Sequence, residues 1–169
     1  MAEAVSKRVT TNRIVHLALT ALFLSAAATE TGAQSVADTE WRHFGHDAAN
    51  TKYSPLAQIT PDNFNDLEIA WRWTSIETEV TSEREQLRPG PFKSVSLMVD
   101  GLVYLSTSLS QVAALDAGTG ELVWSYDPRT YDRLDRPGNM GWQHRGVSYW
   151  EDDDSDDARV FIATHDLFL

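Results

Sequence analysis

Ala114-Leu115-Asp116-Ala117-Gly118-Thr119-Gly120-Glu121-Leu122-Val123-Trp124 has the form A-x-D-x-x-T-G-x-x-x-W, and it reads as a strand end, a tight turn and a new strand. Asp116 can accept turn amides, Gly120 can take a positive φ, and Trp124 offers a large flat group for packing between neighbouring structural units. Working outward, the segments are short, β-branched and aromatic, and Gly, Asp and Pro clusters separate them. The reading is all-β. Candidate strands are Glu68–Thr74, Val95–Val99, Leu102–Ser106, Val112–Asp116, Leu122–Tyr126, Gly146–Trp150 and Arg159–Ala163. Asp100-Gly101 supplies a two-residue hairpin turn between the second and third.

A weak internal repeat supports an antiparallel meander. Leu102-Val103-Tyr104-Leu105-Ser106-Thr107 resembles Arg159-Val160-Phe161-Ile162-Ala163-Thr164, and each copy follows another strand-like segment. Repeats of this length with four strands each are propeller blades, lengthened where a loop is long. In the second copy the connection is the run Glu151–Asp157, which reads as a solvated loop tip. A calcium loop counted from Asp152 would place Gly sixth and Glu twelfth, where Asp157 and Ala163 stand. The sequence stops at Leu169, inside the second copy, whereas the first continues to Trp124. The chain is therefore expected to be a fragment holding the first one to two blades.

The 169 residues carry a formal net charge of −11 and no cysteine. The acidity argues against nucleic acid as a partner, and the missing thiols exclude disulfides, thiolate zinc and cysteine nucleophiles. Residues 1–33 read as a secretory signal: Lys7, Arg8 and Arg13 precede an apolar run from Ile14 to Ala28, with Thr31-Gly32-Ala33 as a cleavage site. The run is short for a membrane span, although an uncleaved anchor is the alternative. Residues 34–169 form the exported part, and the expected location is periplasmic.

Several ordered motifs carry a family resemblance. The Ala114–Trp124 stretch resembles the tryptophan-docking motif of quinoprotein dehydrogenases, which non-enzymatic envelope propellers share. Trp41-Arg42-His43-Phe44-Gly45-His46-Asp47, then Asn50 to Ile59, is similar to the leading segment of quinoprotein alcohol and glucose dehydrogenases. Gln143-His144-Arg145-Gly146-Val147-Ser148-Tyr149-Trp150 resembles their R-G-V/L-x-Y strand. The resemblance implies an eight-bladed β-propeller holding pyrroloquinoline quinone (PQQ), with calcium beside it. It further implies a hydride transfer from a sugar, polyol or alcohol, with electrons passing to a membrane quinone or cytochrome.

In that family the arginine of the R-G-V strand contacts the cofactor, and it maps onto Arg145. A guanidinium suits a trianionic ligand. His144 beside it is a candidate for the cofactor rim, against a packing role. Lys93 departs from the family pattern, in which a glutamate often stands at that place. It is either a cofactor contact or an ordinary edge charge. The adjacent-cysteine pair of many alcohol-oxidising members is missing near Met140 to His144, which favours the glucose-type or an unassigned branch. The catalytic residue and the calcium ligands are expected beyond Leu169, and no metal ligand is assigned within the chain.

The remaining candidates read more simply as structure. His43 and His46 have metal-compatible spacing but no third ligand, so turn and packing roles are expected. Asp132 and Asp135 lie among arginines ahead of Pro137 and suit a solvated loop better than an acid/base pair. A non-enzymatic scaffold that binds partner proteins is the alternative function. The assembly lipoproteins of that kind need a cysteine after the signal, and none is present.

Overall fold

The computed structural model describes residues 39–134 and 141–167. The signal-like residues 1–33, Asp135, Pro137, Met140, Phe168 and Leu169 lie outside the described residues. Among the described residues two sheets are present. Strands β1 (Leu97–Val99), β2 (Leu102–Ser106), β3 (Val112–Asp116) and β4 (Leu122–Tyr126) form an antiparallel meander in sequential order, which is one propeller blade. β5 (Ser148–Glu151) and β6 (Ala158–Phe161) form a second antiparallel hairpin. The molecule is thus a partial propeller.

Turn chemistry fixes the first blade. Asp100 (φ 50°) and Gly101 (φ 73°) both take positive φ, the mirror-image turn whose twist suits adjoining strands. After β3, Asp116 Oδ1 accepts the amides of Gly118 (2.9 Å) and Thr119 (2.8 Å) and the Thr119 hydroxyl (3.1 Å). Gly120 closes the turn at φ 73°, and a Cβ there would lie 2.5 Å from the Trp71 ring. Trp71 can dock on this turn because no side chain occupies the space, and its indole N–H donates to the Ala117 carbonyl at 3.0 Å.

Alternation along the strands produces two apolar faces. Leu97, Val99, Tyr104 and Ala114 form one, covered by Trp41, Trp124 and, from the second hairpin, Val147, Tyr149 and Val160. Trp124 therefore does lie at the junction between units. Leu105, Ala113 and Leu115 form the other face, covered by Trp71, Trp73 and Ile76. Trp41 also forms a bridge with Met98 at the edge of β1, through backbone bonds of 2.8 and 3.0 Å.

Some expected strands change. Glu68–Thr74 forms no strand and pairs with no described one. Its two tryptophans pack on the sheet face, whereas its backbone meets no free edge, and a strand needs ladder partners. Val95–Val99 shortens to β1 because the Val95 amide donates to the Arg145 carbonyl (3.0 Å) instead of to its own sheet. Gly146–Trp150 and Arg159–Ala163 become Ser148–Glu151 and Ala158–Phe161. Among the described residues two short α-helices appear where none is expected, α1 (Glu77–Glu83) and α2 (Thr130–Arg133). Glu77 of α1 accepts the Ser108 hydroxyl (2.9 Å), which helps bury the β2–β3 loop.

Candidate functional site

The site forms where two segments from different units run side by side. Val95, just before β1, and Gly146, just before β5, form a parallel bridge, as do Pro89 and Trp142. Gly146 adopts φ 132°, and a Cβ there would lie 2.7 Å from the Val95 carbonyl oxygen. The glycine of the R-G-V motif is needed for this close approach.

The approach brings Lys93 and the 143–145 segment together. Lys93 Nζ donates to Gln143 Oε1 at 2.8 Å, across fifty positions of sequence. Arg145 is exposed, and neither it nor Lys93 has a carboxylate partner among the described residues. The other arginines near by differ: Arg42 bonds Glu40 and Glu151, and Arg133 bonds Asp166. Arg145 borders a shallow hollow of about 250 Å³ whose other walls include Phe44, Val95, Val147 and Phe161. A permanent cation beside apolar and aromatic walls suits a flat, multiply anionic ring.

His144 is held by protein on both ring nitrogens. Nδ1 lies 2.8 Å from the Ser106 hydroxyl and Nε2 lies 2.8 Å from the Ala163 carbonyl. The His165 ring stands 6.2 Å away, and its Nδ1 bonds the Ser110 hydroxyl at 2.9 Å. Burial, with the neighbouring His144 as a second cause, pushes the His165 imidazole toward its neutral form. Sequence reasoning assigned no role to Gln143, Ser94 or Ser106. Only the position of Gln143 two residues before Arg145 could have flagged it.

The other candidates separate from this site. His43 and His46 form a tight turn, with the His46 amide donating to the His43 carbonyl at 3.0 Å and the His46 ring set edgewise on Trp41. Among the described residues no cluster of three or more His, Cys, Asp or Glu is arranged to hold a metal ion. Asp132 pairs with Arg84 and Arg129, and the Arg84 hydrogen bond holds its carboxyl below the usual carboxylate range. The Asp152–Asp157 connection is a mostly exposed loop whose polar groups bond one another.

Comparison with known proteins gives a consistent result. The family model for the PQQ glucose/ethanol/alcohol dehydrogenase β-propeller domain matches residues 41–169. The dehydrogenase subunit of alcohol dehydrogenase (quinone) from Gluconobacter oxydans is 32% identical over 127 residues, covering 75% of this chain and 14% of that protein. The 1-butanol dehydrogenase (cytochrome c) of Thauera butanivorans is 34% identical over 75% of this chain and 16% of its own length. Quinoprotein glucose dehydrogenase of Escherichia coli is also 34% identical, over 76% and 16%. The crystal structure of quinohemoprotein alcohol dehydrogenase from Comamonas testosteroni superposes with a TM-score of 0.56 at 30% identity, covering 74% of this chain and 16% of that one. The chain thus spans about one-seventh of the length of these relatives. Alcohol and glucose enzymes match at like identity, so similarity does not separate those branches.

Proposed function

We propose, because this chain belongs to the PQQ glucose/ethanol/alcohol dehydrogenase β-propeller family, that it supplies the first blades of an exported quinoprotein oxidising a sugar, polyol or alcohol. The observation that carries this reading is the rim shared by two units, where Arg145 borders an apolar hollow without a described acidic partner and Lys93 bonds Gln143, two residues from it. When bound, PQQ would supply the hydride acceptor. The chain's own part is to hold it: Arg145 would pair with a carboxylate or quinone oxygen, Lys93 would add a second cation, and Phe44 and Val147 would exclude water from the ring. The general base and the calcium ligands would come from other parts of the complete enzyme.

The names of the relatives support electron transfer to a quinone or a cytochrome, and export is supported by the basic and apolar pattern of residues 1–33. The scaffold alternative is the weaker reading, since each of the relatives compared above is a dehydrogenase. The test is titration of the 169-residue chain with PQQ, followed by tryptophan fluorescence. Arg145→Ala should weaken binding by roughly 10- to 100-fold, the range of a charge-assisted hydrogen bond. Lys93→Ala should weaken it by about 2- to 5-fold, as for an exposed ion pair. Equal affinity in wild type and Arg145→Ala would remove Arg145 from the site.

A further inference from the structure

We propose that His144 is a positioning residue, a neutral imidazole protonated on Nε2 that ties the second hairpin to the first blade and thereby fixes the segment presenting Arg145. The tie stands on geometry alone. Its value to Arg145 rests on the function proposed above.

The partners determine the tautomer. The Ala163 carbonyl can only accept, so the Nε2 facing it at 2.8 Å must carry the proton. The Gly146 amide can only donate, so the Nδ1 that accepts it at 3.3 Å presents its lone pair, and the Ser106 hydroxyl lies 2.8 Å from the same nitrogen. The Ser106 and Ser94 hydroxyl oxygens lie 3.3 Å apart. The Ser94 oxygen also accepts the Ser106 amide at 3.0 Å.

The bonds join four separate places. Ser94 precedes β1, Ser106 ends β2, His144 and Gly146 precede β5, and Ala163 follows β6. Ser106 is 1% exposed, so its side chain has no water to replace a lost partner. The parallel backbone bond from Val95 to Arg145 lies between Ser94 and Gly146 in this arrangement. Losing the imidazole would free the Arg145 segment from two of its neighbours, Ser106 and Ala163. His144 thus does its work through Arg145's backbone, which accounts for a ring whose two nitrogens are both taken by protein.

The test begins with ¹⁵N-histidine NMR of the unmodified 169-residue chain at pH 7. The expected spectrum shows His144 protonated on Nε2 alone. A ring protonated on Nδ1, or on both nitrogens, overturns the assignment. In His144→Phe and Ser106→Ala, hydrogen exchange at the Gly146 and Val95 amides should accelerate roughly tenfold, the loss of about one hydrogen bond. The Gly120 amide, bonded to the Asp116 carbonyl at 2.8 Å, should keep its rate and certify that the blade is folded. His144→Gln, which can still donate to Ala163, should recover part of the protection. Unchanged exchange at Gly146 in His144→Phe would sink the tie. PQQ titration separates the two proposals: if Arg145→Ala leaves affinity unchanged while tautomer and exchange behave as expected, the cofactor reading fails and the tie survives. If Arg145→Ala weakens binding and His144→Phe does not, the positioning role is wrong.

Discussion

Tyr104 and Phe161 hold the same place in two copies of one hairpin, and their surroundings differ. Tyr104 faces Leu97 in the ladder as Phe161 faces Ser148, and both lie one residue beyond a valine. Tyr104 is 1% exposed, with Trp124 and Tyr149 rings at 6.0 and 5.9 Å. Phe161 is half-buried and borders the hollow beside Arg145. The same local pattern builds the same ladder twice, but a core forms only where β3 flanks the hairpin and a second unit covers its face. Register is a local property here, and burial belongs to the neighbours.

The largest effect that would test this difference is Tyr104→Ala, expected to cost about 3–5 kcal/mol, the range for deleting a buried aromatic group. Phe161→Ala should cost less than about half of that, because its site is already partly hydrated. Urea unfolding of both variants measures the gap, and equal losses would show that the two hairpins are equally packed. Next comes Gly120→Ala, which forces a side chain into left-handed backbone and against Trp71. The backbone alone costs about 1–3 kcal/mol. Loss of protection at the Trp71 indole proton would show that docking fails as well.

The smallest effect sharpens the role of the turn. Hydrogen bonds from the Thr119 amide and hydroxyl, and from the Gly118 amide, hold the Asp116 carboxyl below the usual aspartate range. Its folded value is depressed, so its contribution to stability is present above the ordinary aspartate range and is lost as pH falls through the lower folded value. Carbon-13 NMR titration should place the Asp116 midpoint below that of an unfolded aspartate. An ordinary midpoint would mean that the turn does not depend on this carboxylate.

Much of the first blade was legible because turn residues delimit it. Leu102–Ser106, Val112–Asp116 and Leu122–Tyr126 are strands at the expected bounds; Asp100-Gly101 precedes the first, and the Asp116–Gly120 turn separates the second from the third. Glu68–Thr74 has strand composition, yet pairing depends on an edge that composition cannot reveal. The seven residues of α1 are too few for helical periodicity to register, and its place is fixed by Glu77 and Val80 reaching the β2–β3 loop. At the site, the charge type of Lys93 and Arg145 was readable, but their meeting through Gln143 was not. Ser106, which bonds His144, carries no pattern at all, since a buried serine looks like any other until its partner is known.

The hairpin tips carry a further consequence. Two residues separate the last pair Val99–Leu102, and six separate the last pair Glu151–Ala158, yet Met98 faces Val103 just as Tyr149 faces Val160. Lengthening a flexible connection from two to six residues costs only about 1 kcal/mol in closure entropy. The acidic tip therefore offers protein engineers a splice point: an epitope, an affinity handle or a tethered electron carrier could be grafted between Asp153 and Asp156 with the sheet's alignment left as it is.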